Sequence, residues 1–350
     1  MIVVNARFLA KKVTGLERYA AELSIALKKY FPDVKFVSHK GDLNTELAKE
    51  LNLEVFGLLK GHLWEQIELP RYLKKKKSPI LLSPVNTGPI YFKNQIPIIH
   101  DLAFLRHPEW YSKSAAIFFK FIVSKVAQNS SHILTVSEFS KSEIITLLKI
   151  PEEKITVISC AVPQKIIELS KNEYKNKYGN FILTVATIEP RKNLKNLINA
   201  FLQLNQKDLK LIVVGNKNNR VFSNPELSNI TNHNIIFTGY VSDEELVGLY
   251  KNTRLFIYPS LYEGFGLPPL EAFFCNSNLL VSDIKPLKET FGDKILYFNP
   301  ESVNDIANKI EELLNVSMNT NKQLINNLTW QQISSKTFQI IKMYYAEENN

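Results

Sequence analysis

The residue types best suited to chemistry are gathered in one stretch, Pro259-Ser260-Leu261-Tyr262-Glu263-Gly264-Phe265-Gly266-Leu267-Pro268-Pro269-Leu270-Glu271-Ala272. A short apolar run ends there in a glycine-bearing turn, and paired prolines, favoured in a helix's first turn, mark where a helix starts. Gly264 and Gly266 allow the backbone to approach a ligand closely. The amides of Phe265, Gly266 and Leu267 would then face an anion, with the helix dipole behind them. Glu263 stands before the turn and Glu271 lies within the helix. Their carboxylates can accept hydrogen bonds from two separate hydroxyl-bearing groups. A plainer reading is a Gly/Pro connection with an incidental capping glutamate. Two glutamates flanking one turn favour a site.

A second block, Ala186-Thr187-Ile188-Glu189-Pro190-Arg191-Lys192-Asn193-Leu194, leaves a predicted strand and opens the next helix. Arg191 and Lys192 suit a diphosphate, because a guanidinium grips two oxygens at once and an ammonium acts as a point charge. Taken alone, the pair would be an exposed helix start; alongside the Glu263 segment, it reads as part of a site. Glu263 and Glu271 in this setting resemble the signature of glycosyltransferase family 4, the retaining enzymes of the GT-B fold. The Arg191-Lys192 block resembles the same family's phosphate-binding turn. Gly239-Tyr240-Val241-Ser242 resembles the loop that borders the nucleotide base. Ile99-His100-Asp101-Leu102 resembles the family's strand-end histidine. Thr135-Val136-Ser137-Glu138-Phe139-Ser140 resembles a further block, with Ser137 placed to cap a helix. Thr14-Gly15-Leu16-Glu17-Arg18-Tyr19 resembles the first glycine loop. There are departures. Thr187 stands where many members carry arginine, the first loop has Gly15 alone, and Phe274-Cys275-Asn276-Ser277-Asn278 replaces the usual small-residue pattern after Glu271.

The resemblance implies two doubly wound Rossmann-like domains facing across a cleft, the nucleotide diphosphate sugar on the second and the acceptor on the first. Glu271 would bind ribose hydroxyls, and Glu263 and His100 the transferred sugar. Arg191 and Lys192 would stabilise the leaving phosphate. Phe265, Gly266, Leu267, Gly15, Tyr240 and Val241 complete the donor contacts. Retention would follow from front-face attack. The wording of the motifs looks most like bacterial mannosyltransferases of O-antigen, capsule or exopolysaccharide assembly. GDP-mannose is therefore the first donor expected, then a UDP-hexose or dTDP-rhamnose, and the acceptor a lipid-linked saccharide. No Asp-x-Asp pair occurs in the chain, and no metal or other cofactor is expected, because transferases that hold the diphosphate through a divalent ion usually need such a pair. A GT-B epimerase or phosphorylase is the alternative. A nicotinamide enzyme would need a GxGxxG turn after its first strand. A nucleic-acid or other anionic-polymer binder would explain the charge but not Glu263 and Glu271, which would repel phosphates.

Around these motifs the chain of 350 residues has the length of two ordinary domains, and its 45% hydrophobic content can fill two cores. Short apolar runs alternate with amphipathic stretches, which argues for parallel sheets. Expected strands include Ile2–Val4, Ile80–Leu82, Ile96–Ile99 and Ile133–Val136, then Phe181–Ala186, Leu209–Gly215 and Leu255–Tyr258. Leu16–Lys29, Ala115–Gln128, Leu194–Leu204 and Val303–Leu314 read as helices. The expected domains are 1–165 and 166–329, with a final helix in 330–350 packing back on the first. Two cysteines exclude a disulfide framework. Residues 1–165 hold 24 lysines and arginines against 15 acidic residues, while 166–350 hold 19 of each, so the whole net charge of +9 lies in the first half. That asymmetry suggests an anionic membrane surface as partner, reached from the cytoplasm at its inner face, without any spanning segment. Arg71 and Lys74–Lys77 are the first candidates for contact, with Leu63 and Trp64 inserting.

Overall fold

A computed structural model describes residues 1–11, 14–204, 206–215, 232–315 and 329–347. The chain forms two compact units. One holds Met1–Leu105, Ile117–Ala161 and the C-terminal helix Trp330–Glu347; the other holds Arg106–Ala116 and the described residues of Val162–Asn327.

The first unit is built on a sheet of seven parallel strands: β1 (Ile2–Asn5), β2 (Lys35–Ser38), β3 (Glu54–Val55), β4 (Ile80–Ser83), β5 (Gln95–Ile99), β6 (Ile133–Thr135) and β7 (Ile155–Val157). Their order is β3-β2-β1-β4-β5-β6-β7. Every residue of β4 and β5 is buried, as expected for central strands covered on both faces. Helix Gly15–Tyr30 buries Tyr19, Leu23 and Leu27 on one stripe. The C-terminal helix packs on it: Trp330 meets the Tyr19 ring edge-on at 5.2 Å, and Phe338 stacks on Phe31 at 3.6 Å. Lys336 ties the same helix to β7 by donating to the Val157 carbonyl at 2.8 Å. The last residues of the expected 330–350 segment, 348–350, lie outside the described residues.

The second unit has six parallel strands: β8 (Phe181–Val185), β9 (Lys210–Val214), β10 (Ile235–Gly239), β11 (Leu255–Tyr258), β12 (Leu279–Ser282) and β13 (Leu296–Phe298), ordered β10-β9-β8-β11-β12-β13. Helix Leu194–Gln203 buries Leu194, Leu197, Ile198 and Phe201, the spacing of one helical face, against Ile306, Ile310 and Leu313 of helix Val303–Leu314. In both sheets the order reverses at one place: between β1 and β4 in the first, and between β8 and β11 in the second. Open α/β sheets bind ligands beyond the strand C-termini at such a point. Each unit therefore has one address at which to look for a site.

Segment Arg106–Ala116 groups with the second unit, where the His107 ring meets Tyr262 edge-on at 5.9 Å. Nothing in the sequence pattern marks this excursion. Trp64 does not stand ready for insertion into a membrane. It is fully buried, donates Nε1–H to the Phe56 carbonyl at 3.1 Å, and anchors a core with Val3, Leu69 and Leu81. An indole in mid-helix beside an apolar run is core material as readily as interface material, and spacing alone does not separate the two. Leu63, next to it, is exposed.

Candidate donor site at the second switch point

The two sequence blocks leave the C-terminal ends of β8 and β11, adjacent strands at the reversal point. They are stitched together. The Leu261 amide donates to the Arg191 carbonyl at 2.8 Å. Asn193, in left-handed conformation (φ 54°), donates its side-chain amide to the carbonyls of Pro259 at 3.1 Å and Pro300 at 2.7 Å. Asparagine tolerates this backbone region because its short polar side chain bonds locally. Gly215, at the end of β9, presses on the backbone of Ala186: a Cβ there would lie 2.1 Å from the Ala186 oxygen.

The charged side chains meet inside this frame. Lys192 Nζ donates to Glu263 Oε1 at 2.6 Å and to the Tyr258 hydroxyl at 2.7 Å, and that hydroxyl donates to the same Glu263 oxygen at 3.0 Å. Arg191 Nη1 donates to Glu263 Oε2 at 3.2 Å, and its Nε pairs with Glu189. Lys192, Glu189 and Glu263 are buried. Burial by itself pushes the Glu263 carboxyl up, but the Lys192 ammonium and the Arg191 guanidinium outweigh it and hold it at about 2. Burial also lowers the Lys192 pKa against the pull of Glu263, and it raises the Tyr258 phenol well above its ordinary value. The cluster is thus two cations and two carboxylates, oriented without a net charge. Electrostatic groups fixed in this way need no reorganisation when charge develops beside them.

The glycine turn follows. Gly266 adopts φ 111°, and a Cβ there would meet Leu287 Cδ2 at 2.7 Å, so both backbone and packing demand glycine. Helix Leu267–Phe274 starts at this residue, with prolines in its first turn. Among the described residues, the backbone amides of Phe265, Gly266 and Leu267 have no backbone acceptor, which is the state of a helix start that can receive an anion. The helix ends cleanly despite its unusual tail. Asn276 takes the left-handed position usually given to glycine (φ 65°), and the Ser277 amide returns to the Ala272 carbonyl at 2.9 Å. Glu271 is buried and accepts from the Tyr250 hydroxyl at 3.0 Å.

The structure therefore brings Arg191, Lys192 and Glu263 into direct contact. Phe265, Gly266, Leu267 and Glu271 stand on the adjoining turn and helix. Tyr240 and Val241 follow β10, two strands from β8 at the same edge, with Tyr240 half-exposed and Ser242 capping the next helix. Gly15 and His100 belong to the first unit. Gly15 opens helix Gly15–Tyr30 in free space: a Cβ would meet nothing within 4 Å. His100 donates through Nε2 to the Pro84 carbonyl at 2.8 Å, since a carbonyl can only accept. Burial lowers its pKa, so the neutral ring keeps Nδ1 as an acceptor. Ser137 caps helix Glu138–Leu148 through the Ser140 amide at 3.0 Å.

Sequence reasoning missed Tyr258, Tyr250, Asn193 and Glu189, although a tyrosine ending a buried strand five residues before Glu263 was a usable signal. It also missed a cluster at the first switch point. Glu65 Oε1 accepts from Asn5 at 2.8 Å, Arg7 Nε at 3.2 Å and Thr87 at 3.2 Å, and Arg7 Nη2 donates to Thr87 at 2.9 Å. Glu65 Oε2 pairs with His62 Nδ1 at 3.0 Å. Burial would raise the Glu65 carboxyl, but Arg7 and His62 hold it at about 2. An ionised carboxylate only accepts, so His62 must present Nδ1–H to it. That leaves Nε2 of the half-exposed ring as the working atom.

Comparison with known proteins agrees with this picture. Residues 165–329 match the family model for glycosyl transferases group 1, and residues 13–165 match that for glycosyltransferase family 4. The serotype-specific mannosyltransferase WbdA of Escherichia coli is 34% identical over 234 residues, which are 62% of this chain and 29% of WbdA. The O-antigen chain mannosyltransferase B of Escherichia coli is 30% identical over 254 residues, 69% of this chain and 67% of that protein. The crystal structure of Anabaena HepE with UDP-glucose superposes with a TM-score of 0.63 over 99% of this chain and 98% of that one, at 16% identity, a likeness of fold. Two parallel sheets matched at both ends by these models have one reading: the chain is a GT-B protein of the family 4, group 1 glycosyltransferases.

Proposed function

We propose that this chain moves a hexosyl group, mannose first, from a nucleotide diphosphate sugar to a saccharide acceptor carried on a lipid, in the synthesis of a bacterial surface polysaccharide. The carrying observation is the Arg191–Lys192–Glu263 cluster beside the open amides of Phe265–Leu267, at the sheet's reversal point. In this reading Arg191 and Lys192 take the diphosphate and stabilise the charge that develops as it leaves. The amides of the turn add to that pull. Glu263, besides orienting both cations, accepts from a hydroxyl of the sugar, and Glu271 accepts from the ribose. Front-face attack by the acceptor hydroxyl, with its proton passing to the leaving phosphate, retains the configuration. The mannosyl assignment rests on the two mannosyltransferases that the chain resembles. His62, held by Glu65 at the first switch point, is placed to accept a hydrogen bond from an acceptor hydroxyl.

Two measurements test this. A panel of nucleotide sugars should raise the unfolding temperature, GDP-mannose most, by mass action on the folded state. Glu271→Ala should weaken that donor about ten- to a hundredfold, the loss of a charge-assisted hydrogen bond of roughly 1.5–3 kcal/mol. Glu271→Gln, which keeps an acceptor for Tyr250, separates ligand loss from helix loosening. Unchanged donor affinity in both variants would move the ribose elsewhere. Donor consumption without any acceptor would favour an epimerase. Since the leaving diphosphate is met by side-chain cations, transfer should also survive EDTA; loss on chelation with rescue by magnesium would overturn the metal-free scheme.

A further inference from the structure

Segment Arg106–Ala116 comes from the first half of the sequence yet belongs to the second unit, and it carries an aromatic pair that the donor site does not use. Pro108 fixes the backbone at the start of a single 3-10 turn, Pro108–Trp110. The Trp110 amide donates to the His107 carbonyl and the Tyr111 amide to the Pro108 carbonyl, both at 3.1 Å. Side chains three residues apart eclipse in such a turn. The His107 and Trp110 rings accordingly stack, with centroids 3.9 Å apart and planes 11° from parallel. Glu109 steadies the imidazole by accepting from its Nδ1 at 3.0 Å, since a carboxylate can only accept. The His107 ring also meets Tyr262 edge-on, and Tyr262 is buried directly before Glu263. One intervening ring thus ties Trp110 to the turn that carries the central carboxylate of the donor site.

Trp110 is half-exposed. His107 covers one face of the indole, which leaves the opposite face and the edge open, and among the described residues its Nε1–H has no acceptor. A rigidly backed indole open on one side is suited to a flat apolar surface with polar groups at its rim. Its own rim offers a donor in Nε1–H and an acceptor in the exposed Glu109 carboxylate. That negative charge disfavours a phosphate. A pyranose fits: the C–H groups of one ring face form an apolar patch, and the hydroxyls radiate around it. Position narrows the choice further. Tyr240, expected beside the nucleotide base, follows β10, three strands from β11, about 14 Å across the sheet. Being tied to the turn after β11, Trp110 stands by the sugar end of a bound nucleotide sugar rather than by its base.

We propose that Trp110, backed by His107 and flanked by Glu109, is a stacking platform for a pyranose ring of the acceptor saccharide. That this saccharide is the acceptor rests on the transfer reading above; that a saccharide binds here does not.

Trp64 and Trp330 are buried, so acrylamide quenching of the full chain reads Trp110. Disaccharides of mannose, galactose, glucose and N-acetylglucosamine are added at millimolar concentration, with and without GDP. At least one should shield the indole from acrylamide. The disaccharide that shields best is then offered as its octyl glycoside in transfer assays. Trp110→Ala should raise the KM for that acceptor about tenfold, the loss of one aromatic stacking contact. Its kcat and its stabilisation by nucleotide sugar should stay at wild-type levels, and Trp110→Tyr should recover most of the KM. Shielding by none of the disaccharides overturns the proposal, as does shielding by nucleotide sugar or by a prenyl phosphate in their place. An unchanged acceptor KM in Trp110→Ala overturns it too. Shielding by a disaccharide in a protein that transfers no sugar supports the platform and removes the transfer reading instead.

Discussion

Lys192→Ala is expected to lower kcat by about two to three orders of magnitude, the usual effect of removing one preorganised charge-stabilising donor. The substitution takes away the buried ammonium that donates to Glu263 and Tyr258. Breaking a buried ion pair costs about 3–5 kcal/mol when the remaining charge is orphaned. Here Arg191 stays paired with Glu263, so the stability loss should fall near the lower end, about 3 kcal/mol. Activity falls more than stability alone explains, because the enzyme remains folded at working temperature. The pH dependence gives an independent signature. Glu263 is held at about 2 in the folded protein, below the unfolded value of about 4.3. Its contribution is complete above the unfolded pKa and is lost as pH falls toward 2. Without Lys192 the folded pKa rises toward the unfolded one, so stability should depend less steeply on pH between about 2 and 5. Denaturant titrations across that range, beside steady-state rates, check both parts. Wild-type turnover in Lys192→Ala would place the diphosphate elsewhere.

The second large effect belongs to the first unit. Arg7→Met should destabilise it by about 3–5 kcal/mol, because the methionine fills the space of the arginine stem and leaves the fully buried Glu65 carboxylate without its guanidinium. Adding Glu65→Met should recover much of the loss, since removing both charges of a buried pair is often nearly neutral. Trp64 and Trp330 lie in this unit, so indole fluorescence during urea unfolding follows it more than its partner, which holds Trp110. The units need not unfold together, and a single transition should not be assumed. A double variant no more stable than Arg7→Met would show that Asn5, Thr87 and His62, left without the Glu65 acceptor, matter more than the charge. Retained stability but impaired transfer in the double variant is the result expected of a cluster kept for placing His62.

Local pattern carried much of this molecule. Leu255–Tyr258 and Val303–Leu314 have the very bounds that apolar spacing predicts, because alternation and helical periodicity depend on residues a few positions apart. Ser137 and Ser242 cap helices as a hydroxyl before a helical run should. Glu263, Arg191 and Lys192 were also legible as candidates: each lies in the connection from a strand's C-terminal end to the next helix, in a recognisable block, and the two blocks name the family together. What the sequence left open depends on which strands become neighbours. Strand β3, of two exposed residues, pairs only at a sheet edge and carries no pattern of its own. Asn5, Arg7, Glu65 and Thr87 are strangers in the sequence, and they meet because β1 and β4 lie side by side, so their mutual neutralisation appears only in three dimensions. The same limit applies to Trp64 and Phe121. As amino acids both are large aromatics on helices, and spacing suits either for core or surface. Tertiary packing decided between them: the helix bearing Trp64 turns the indole inward, where Phe56 supplies its hydrogen-bond acceptor, while helix Lys113–Asn129 already fills its inner face with Ile122, Val123 and Val126 and leaves Phe121 outside.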